Sequence, residues 1–108
     1  MRLRQPRDFQ HVWSEGRSWA HSLFVLWAVP STGAGVTRWG LVASRKVGNA
    51  VARNRARRLL REAVRQLQGH VPGGWDIILL ARRHILQVKE PRVAAALEKI
   101  LQRAGLWS

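Results

Sequence analysis

The chain has no cysteine. Neither a disulfide nor a thiolate metal site can hold it, so a packed core must. The absence suits a cytosolic setting. Acid is scarce too: six Asp and Glu stand against 19 Lys and Arg, for a formal net charge of +13. A surplus of that size repels itself in the folded state and points to an anionic partner, nucleic acid before a membrane surface. Long apolar runs are also missing. Nothing reaches the ~18 residues of a membrane-spanning helix. The opening MRLRQPRDF lacks the apolar stretch of a signal peptide. A soluble, intracellular, cytoplasmic protein is expected, with no membrane partner. No repeat and no low-complexity segment interrupts the chain.

The chemistry of a protein nuclease is equally absent. Such an enzyme needs a metal cluster or a general acid–base pair. Asp8, Glu15, Glu62, Asp76, Glu90 and Glu98 form no clustered motif. His11, His21, His70 and His84 are scattered, without metal-ligand spacing. No serine sits in a nucleophile motif. Asp8 reads as a helix cap and Asp76 as the start of a strand. No catalytic residue and no metal ligand is expected in the protein.

What remains is a hydrophobic share of 46% in 108 residues, enough for one small domain spanning 1–108. DFQHVWSEG (8–16) reads as a short helix, with Phe9, Val12 and Trp13 on one face and Gly16 as the stop. SWAHSLFVLWAVP (18–30) reads as strand, broken near His21. Its second part is apolar on both faces, Leu23, Val25, Trp27 and Val29 on one, Phe24, Leu26 and Ala28 on the other. Such a strand is covered on both sides or keeps one for a ligand. STGAG (31–35) is a turn, and VTRWGLVAS (36–44) the returning strand. RKVGNAVARNR (45–55) is a basic loop leading into a helix, which HVPGG (70–74) closes off. WDIILLAR (75–82) is a buried strand. Pro91 opens a last helix over roughly 90–104, striped by Val93, Leu97, Ile100, Leu101 and Ala104. The pattern predicts a mixed α/β (α+β) sandwich, a small sheet with helices packed on it. A right-handed crossover is the default for the strand–helix–strand unit 36–82.

The helix after the basic loop carries the main signal. At about 100° per residue, Ala56, Leu59, Leu60, Ala63, Val64 and Leu67 fall on one side. Arg57, Arg58, Arg61 and Arg65 fall on the other. Eight cations (Arg45, Lys46, Arg53, Arg55, Arg57, Arg58, Arg61, Arg65) face one acid, Glu62, over residues 45–65. A solvated face normally mixes signs. A membrane-surface helix needs its apolar side free, whereas a small domain needs it for the core. Like charges at i, i+4 cost a few tenths of a kcal/mol per pair. A ridge that costs stability alone implies a polyanion. Only three of the cations are lysine, and the planar guanidinium fork suits phosphate.

SRKVGNAVARNRARRLLRE (44–62) resembles the signature of the protein subunit of bacterial ribonuclease P. DFQHVW resembles that family's first helix, LFVLWAV and RWGLVAS its antiparallel strands, DIILLAR its later strand, so the likeness spans nearly the whole chain. The resemblance implies an αβββαβα two-layer sandwich with a mostly antiparallel sheet, related to a ribosomal-protein domain, with a left-handed βαβ crossover against the general default. It implies a protein that assists a catalytic RNA, one protein per RNA, in removing the 5′ leader from precursor tRNA. Mg²⁺ would be bound through the RNA. Arg45, Lys46, Arg53, Asn54, Arg55, Arg57, Arg58 and Arg61 would face RNA. Phe9 and Trp13 would line a leader cleft whose floor is Val25 and Trp27. Trp19, Trp39, Trp75 and Trp107 are left to core or rim. The lead-in MRLRQPR is shorter than the family's usual basic lead-in, with Arg2, Arg4 and Arg7 as the cations it keeps, and the end GLWS lacks a basic tail. The competing readings are a stand-alone structured-RNA-binding or ribosome-associated protein using the same ridge, and a protein nuclease acting without RNA.

Overall fold

A computed structural model describes residues 2–31, 33 and 35–108. The first helix, α1 (Pro6–Glu15), begins two residues before the sequence pattern suggests. Proline is pre-set for a first helical turn and loses nothing there by lacking an N–H, so the cap moves back to Gln5. Asp8 is therefore not the N-cap. It is the third helical residue, and its carboxylate accepts the Gln5 N–H at 3.4 Å as one arm of a capping box.

Strands β1 (Arg17–Ala20) and β2 (Phe24–Pro30) are separated, as the sequence suggests, at His21. The His21 ring accepts the Leu23 N–H at Nδ1 (3.0 Å), which closes the turn. Strand β3 (Arg38–Val42) leads to α2 (Ala50–Leu67), and β4 (Trp75–Ala81) leads to α3 (Glu90–Arg103). Short 3₁₀ turns occupy Gln68–His70 and Arg83–Gln87. The order αβββαβα holds.

The sheet order is β1-β2-β4-β3, with β2 antiparallel to both neighbours and β3 parallel to β4. β3 thus returns in direction but does not lie beside β2. The last strand inserts between them, because its Ile77, Ile78 and Leu79 are fully buried and need cover on both faces. The turn expected at 31–35 includes residues 32 and 34, which lie outside the described residues, and Ser31 and Thr37 on either side of it are tied to the chain just before β4. Ser31 N–H donates to Gly74 O at 2.8 Å, and the Thr37 hydroxyl to Pro72 O at 2.6 Å. Arg2 forms an isolated bridge with Trp39, so the N-terminal segment lies along the β3 edge.

Side-chain alternation divides the core. Phe24 and Leu26 of β2, Ile77 and Leu79 of β4 and Trp39 of β3 face Leu60, Ala63, Leu97 and Ile100 of α2 and α3. On the other face, Val29 and Ile78 meet Leu3 and Val12, with Phe9, Trp13, Trp27 and Val42 packed around them. α1 covers only part of that face. Val25, Trp27 and Val42 stay half-buried.

Candidate nucleic-acid interface

The basic loop and α2 are set by two local features. Gly48 has φ +149°, and a Cβ there would meet the Ala52 Cβ at 2.9 Å, so only glycine fits. Asn49 then caps the helix, its side-chain oxygen accepting the Ala52 N–H at 2.9 Å. With Ala56, Leu60, Ala63 and Val64 turned into the core, the rest of α2 faces outward. Arg55, Arg58 and Arg61 are exposed, Arg53 and Arg57 half-buried, and Arg45 and Lys46 exposed on the loop before them. Asn54 accepts a hydrogen bond from the Arg57 guanidinium, one turn on, which fixes that fork. Its amide N–H₂ is a donor that can still reach a phosphate or a base edge.

Arg65 differs from its neighbours. It is forked onto Glu62, which raises the guanidinium above its ordinary value and holds the Glu62 carboxyl below its own. The ridge that carries uncompensated charge therefore runs from Arg45 to Arg61, and Arg65 closes it as an ion pair.

Three of the aromatic residues, Phe9, Trp13 and Trp27, gather on the opposite face of the sheet. Trp13 of α1 meets Trp27 of β2 edge to face, with centroids 4.7 Å apart. Val25 shares the Trp27 side of β2, and Phe9 packs against the same cluster. Phe9 can sit there because β3 carries glycine beneath it: a Cβ on Gly40 would stand 2.7 Å from the Phe9 ring. The four residues expected in a cleft therefore line one partly open face of the sheet.

A groove of about 510 Å³ along the β3 edge joins the two surfaces. Phe9, Gly40 and Leu41 form one side, and Arg57, Arg61 and Arg65 the other, with Arg2 at the rim. A second opening, lined by Arg2, Arg4, Arg7, Asp8 and Arg38, lies beside the start of α1. The three N-terminal arginines thus extend the ridge around the edge of the sheet.

Sequence reasoning misses the group that holds α1 in this position. Arg38 and Asp76 are direct partners in the β3–β4 register. Arg38 Nε donates to Asp76 Oδ1 at 2.9 Å and Nη2 to Oδ2 at 2.7 Å. A further pair of longer contacts, 3.5 Å each, reaches Asp8 on α1. Hydrogen bonding to Asp76 raises the Arg38 guanidinium above its ordinary value. Asp76 is 2% exposed, and a carboxylate so placed needs a partner. An Asp leading into IILLA was the available signal, but its partner lies 38 residues away and appears only with the strand register.

Among the described residues no three His, Asp or Glu side chains come together as a metal site. No helix is long and apolar enough to cross a membrane among the described residues.

The family model for ribonuclease P matches residues 1–105. The chain belongs to the ribonuclease P protein family. Its similarity to the ribonuclease P protein component of Herpetosiphon aurantiacus is 40% identity over 106 residues, 98% of this chain and 85% of the relative. The Roseiflexus castenholzii component is 39% identical over 97% of this chain and 86% of its own length. Among solved structures, the Staphylococcus aureus RNase P protein superposes with a TM-score of 0.88 at 30% identity, covering 99% of this chain and 97% of that one. The Thermotoga maritima RNase P protein gives 0.83 at 34%, covering 95% and 96%. Ribonuclease P proteins therefore share both the sequence and the α+β architecture described here.

Proposed function

We propose that the chain is the non-catalytic protein subunit of a ribonucleoprotein ribonuclease P, which removes the 5′ leader from precursor tRNA in the cytoplasm. One protein joins one RNA, and the RNA performs the cleavage with Mg²⁺ bound through its own phosphates. The observation that carries the reading is the pairing of an uncompensated arginine ridge with a partly open aromatic face, joined around the β3 edge.

Each surface suits a different RNA. Arg45, Lys46, Arg53, Asn54, Arg55, Arg57, Arg58 and Arg61 offer guanidinium forks and amide donors to the phosphates of a structured RNA, which needs no base reading. Phe9, Trp13, Val25 and Trp27 offer flat apolar surface to unpaired bases, and Arg2, Arg4 and Arg7 give a basic rim. A single-stranded leader needs that combination. By neutralising phosphates, the protein lets two polyanions approach each other, and by holding the leader it fixes the cleavage site against the catalytic RNA. A stand-alone structured-RNA-binding protein would use the ridge but has no use for the aromatic face.

The test is a cleavage assay. Labelled precursor tRNA is incubated at low Mg²⁺ and moderate salt with this protein, with a bacterial ribonuclease P RNA, and with both. Cleavage at the mature 5′ end only with both supports the proposal. RNA binding with no gain in cleavage would transfer the case to the stand-alone reading, and cleavage by the protein alone would favour a protein nuclease.

A further inference from the structure

A third cationic surface lies away from the ridge and the aromatic face. The β1–β2 turn, the 83–87 turn and α3 enclose a pocket of about 470 Å³ that shares no lining residue with the β3-edge groove. Its polar walls are His21 and Ser22 on one side, His84 beside them, and Arg92 and Lys99 on α3. No carboxylate lines it.

The geometry is that of an anion seat. Arg92 and Lys99 are seven residues apart, so they share a helix face two turns apart, about 10 Å along the axis. Ala95 and Ala96 lie between them, and their short side chains leave the floor open. Among the described residues, neither Arg92 nor Lys99 is in an ion pair. The opposite wall is held by contacts of His21. His21 stacks on Phe24, its Nδ1 accepts the Leu23 N–H, and its carbonyl accepts from Arg82 Nη1 at 3.3 Å. With Nδ1 acting as acceptor, the neutral ring carries its proton on Nε2, a donor for a ligand.

We propose that this pocket binds a phosphate group, gripped by Arg92 and Lys99 with His21 and His84 as donors opposite. Two sources share that chemistry: a phosphodiester of RNA, and a free inorganic polyphosphate. The local field agrees with an anion. After burial, the charges that lower the His21 pKa are Lys99, Arg103 and Arg92, all cations on α3. An anion seated among them opposes that field and raises the His21 titration midpoint.

The test uses the full chain and inorganic pyrophosphate, followed by NMR. Expected are saturable shifts at His21, Ser22, Arg92 and Lys99 and an upward move of the His21 midpoint. Arg92→Ser with Lys99→Ser should weaken these shifts at least fivefold. Ser22→Glu, an exposed turn substitution that places a carboxylate at the mouth, should abolish them while shifts on the α2 ridge persist. Pocket resonances that stay still, or that move equally in both variants, would overturn the proposal.

A second arm assigns the source. If the Arg92/Lys99 double variant also loses affinity for precursor tRNA or for a ribonuclease P RNA, and its salt slope falls by about 1–2, the ligand is RNA backbone. Unchanged RNA affinity with lost pyrophosphate binding assigns a free polyphosphate. The pyrophosphate arm needs no RNA, so its failure is separate from failure of the ribonuclease P reading.

Discussion

Arg38 and Asp76 show how a single pair can decide where a surface stands. Asp76 is 2% exposed and Arg38 29% by side chain, so the pair is buried at one end and reachable by water at the other. Removing the partner of a buried charge costs ~3–5 kcal/mol when both are buried. With one end near solvent, Arg38→Ala should cost about 2–3 kcal/mol. The double variant Arg38→Ala with Asp76→Asn should recover part of that, because a neutral amide needs less compensation. Urea unfolding of the three proteins measures it, and a double variant no better than the single would show that Asp76 is not the source of the cost. His21 gives a second prediction. Burial first and the α3 cations next hold it below its ordinary 6.5. The folded state thus favours the neutral ring. The contribution is complete above the unfolded value and fades as pH falls below 6.5 toward the depressed one, because the unfolded chain binds the extra proton. Melting temperature should therefore fall between pH 7 and 5, and fall less in His21→Gln. An equal fall in both would assign the loss to other groups.

The elements differ in how far they could be read from the sequence. α2 was legible because its information is local: a cap, a glycine before it, and a 3.6-residue apolar period over Ala56, Leu60, Ala63 and Val64. The exposed cations follow from the same period, so most of the candidate ridge could be named in advance. The N-cap of α1 falls at Gln5, three residues before Asp8, because Pro6 opens the helix. The position of β3 was not legible. Strand partners are set by contacts far apart in sequence, and both neighbours of β4 depend on where the chain crosses after Pro30. For the same reason the groove that joins Phe9 to Arg57 and Arg61, and the Arg2 contact at Trp39, could not be seen before the sheet order. The ridge itself yields a quantitative test. Arg53→Ala, Arg57→Ala and Arg61→Ala leave the buried face of α2 untouched, and alanine is a better helix former than arginine. The triple variant should stay folded by circular dichroism. Three lost phosphate contacts should reduce the slope of log affinity against log salt by about 2–3. A slope that did not change would mean these guanidiniums face water in the complex.

At the scale of the whole molecule, the two surfaces should fail in different ways. Ridge and aromatic face lie on opposite sides of the sheet and meet at its β3 edge, so variants of each should act independently on RNA binding. Losing the ridge should weaken every RNA, with or without a leader. Losing the aromatic face should weaken only RNA that carries one. Trp27 is half-buried and touches Trp13, so Trp27→Ala removes both a stacking surface and a packing contact. Trp27→Phe keeps a ring and separates the two effects. A base stacked on an aromatic side chain contributes ~1–3 kcal/mol. The alanine variant should therefore lose roughly five- to 150-fold in affinity for precursor tRNA and almost nothing for mature tRNA, with phenylalanine between. The decisive quantity is the affinity gained per added leader nucleotide in the assembled ribonucleoprotein. If Trp27→Ala leaves that gain intact while lowering thermal stability, Trp27 belongs to the core that α1 closes, and the leader lies elsewhere.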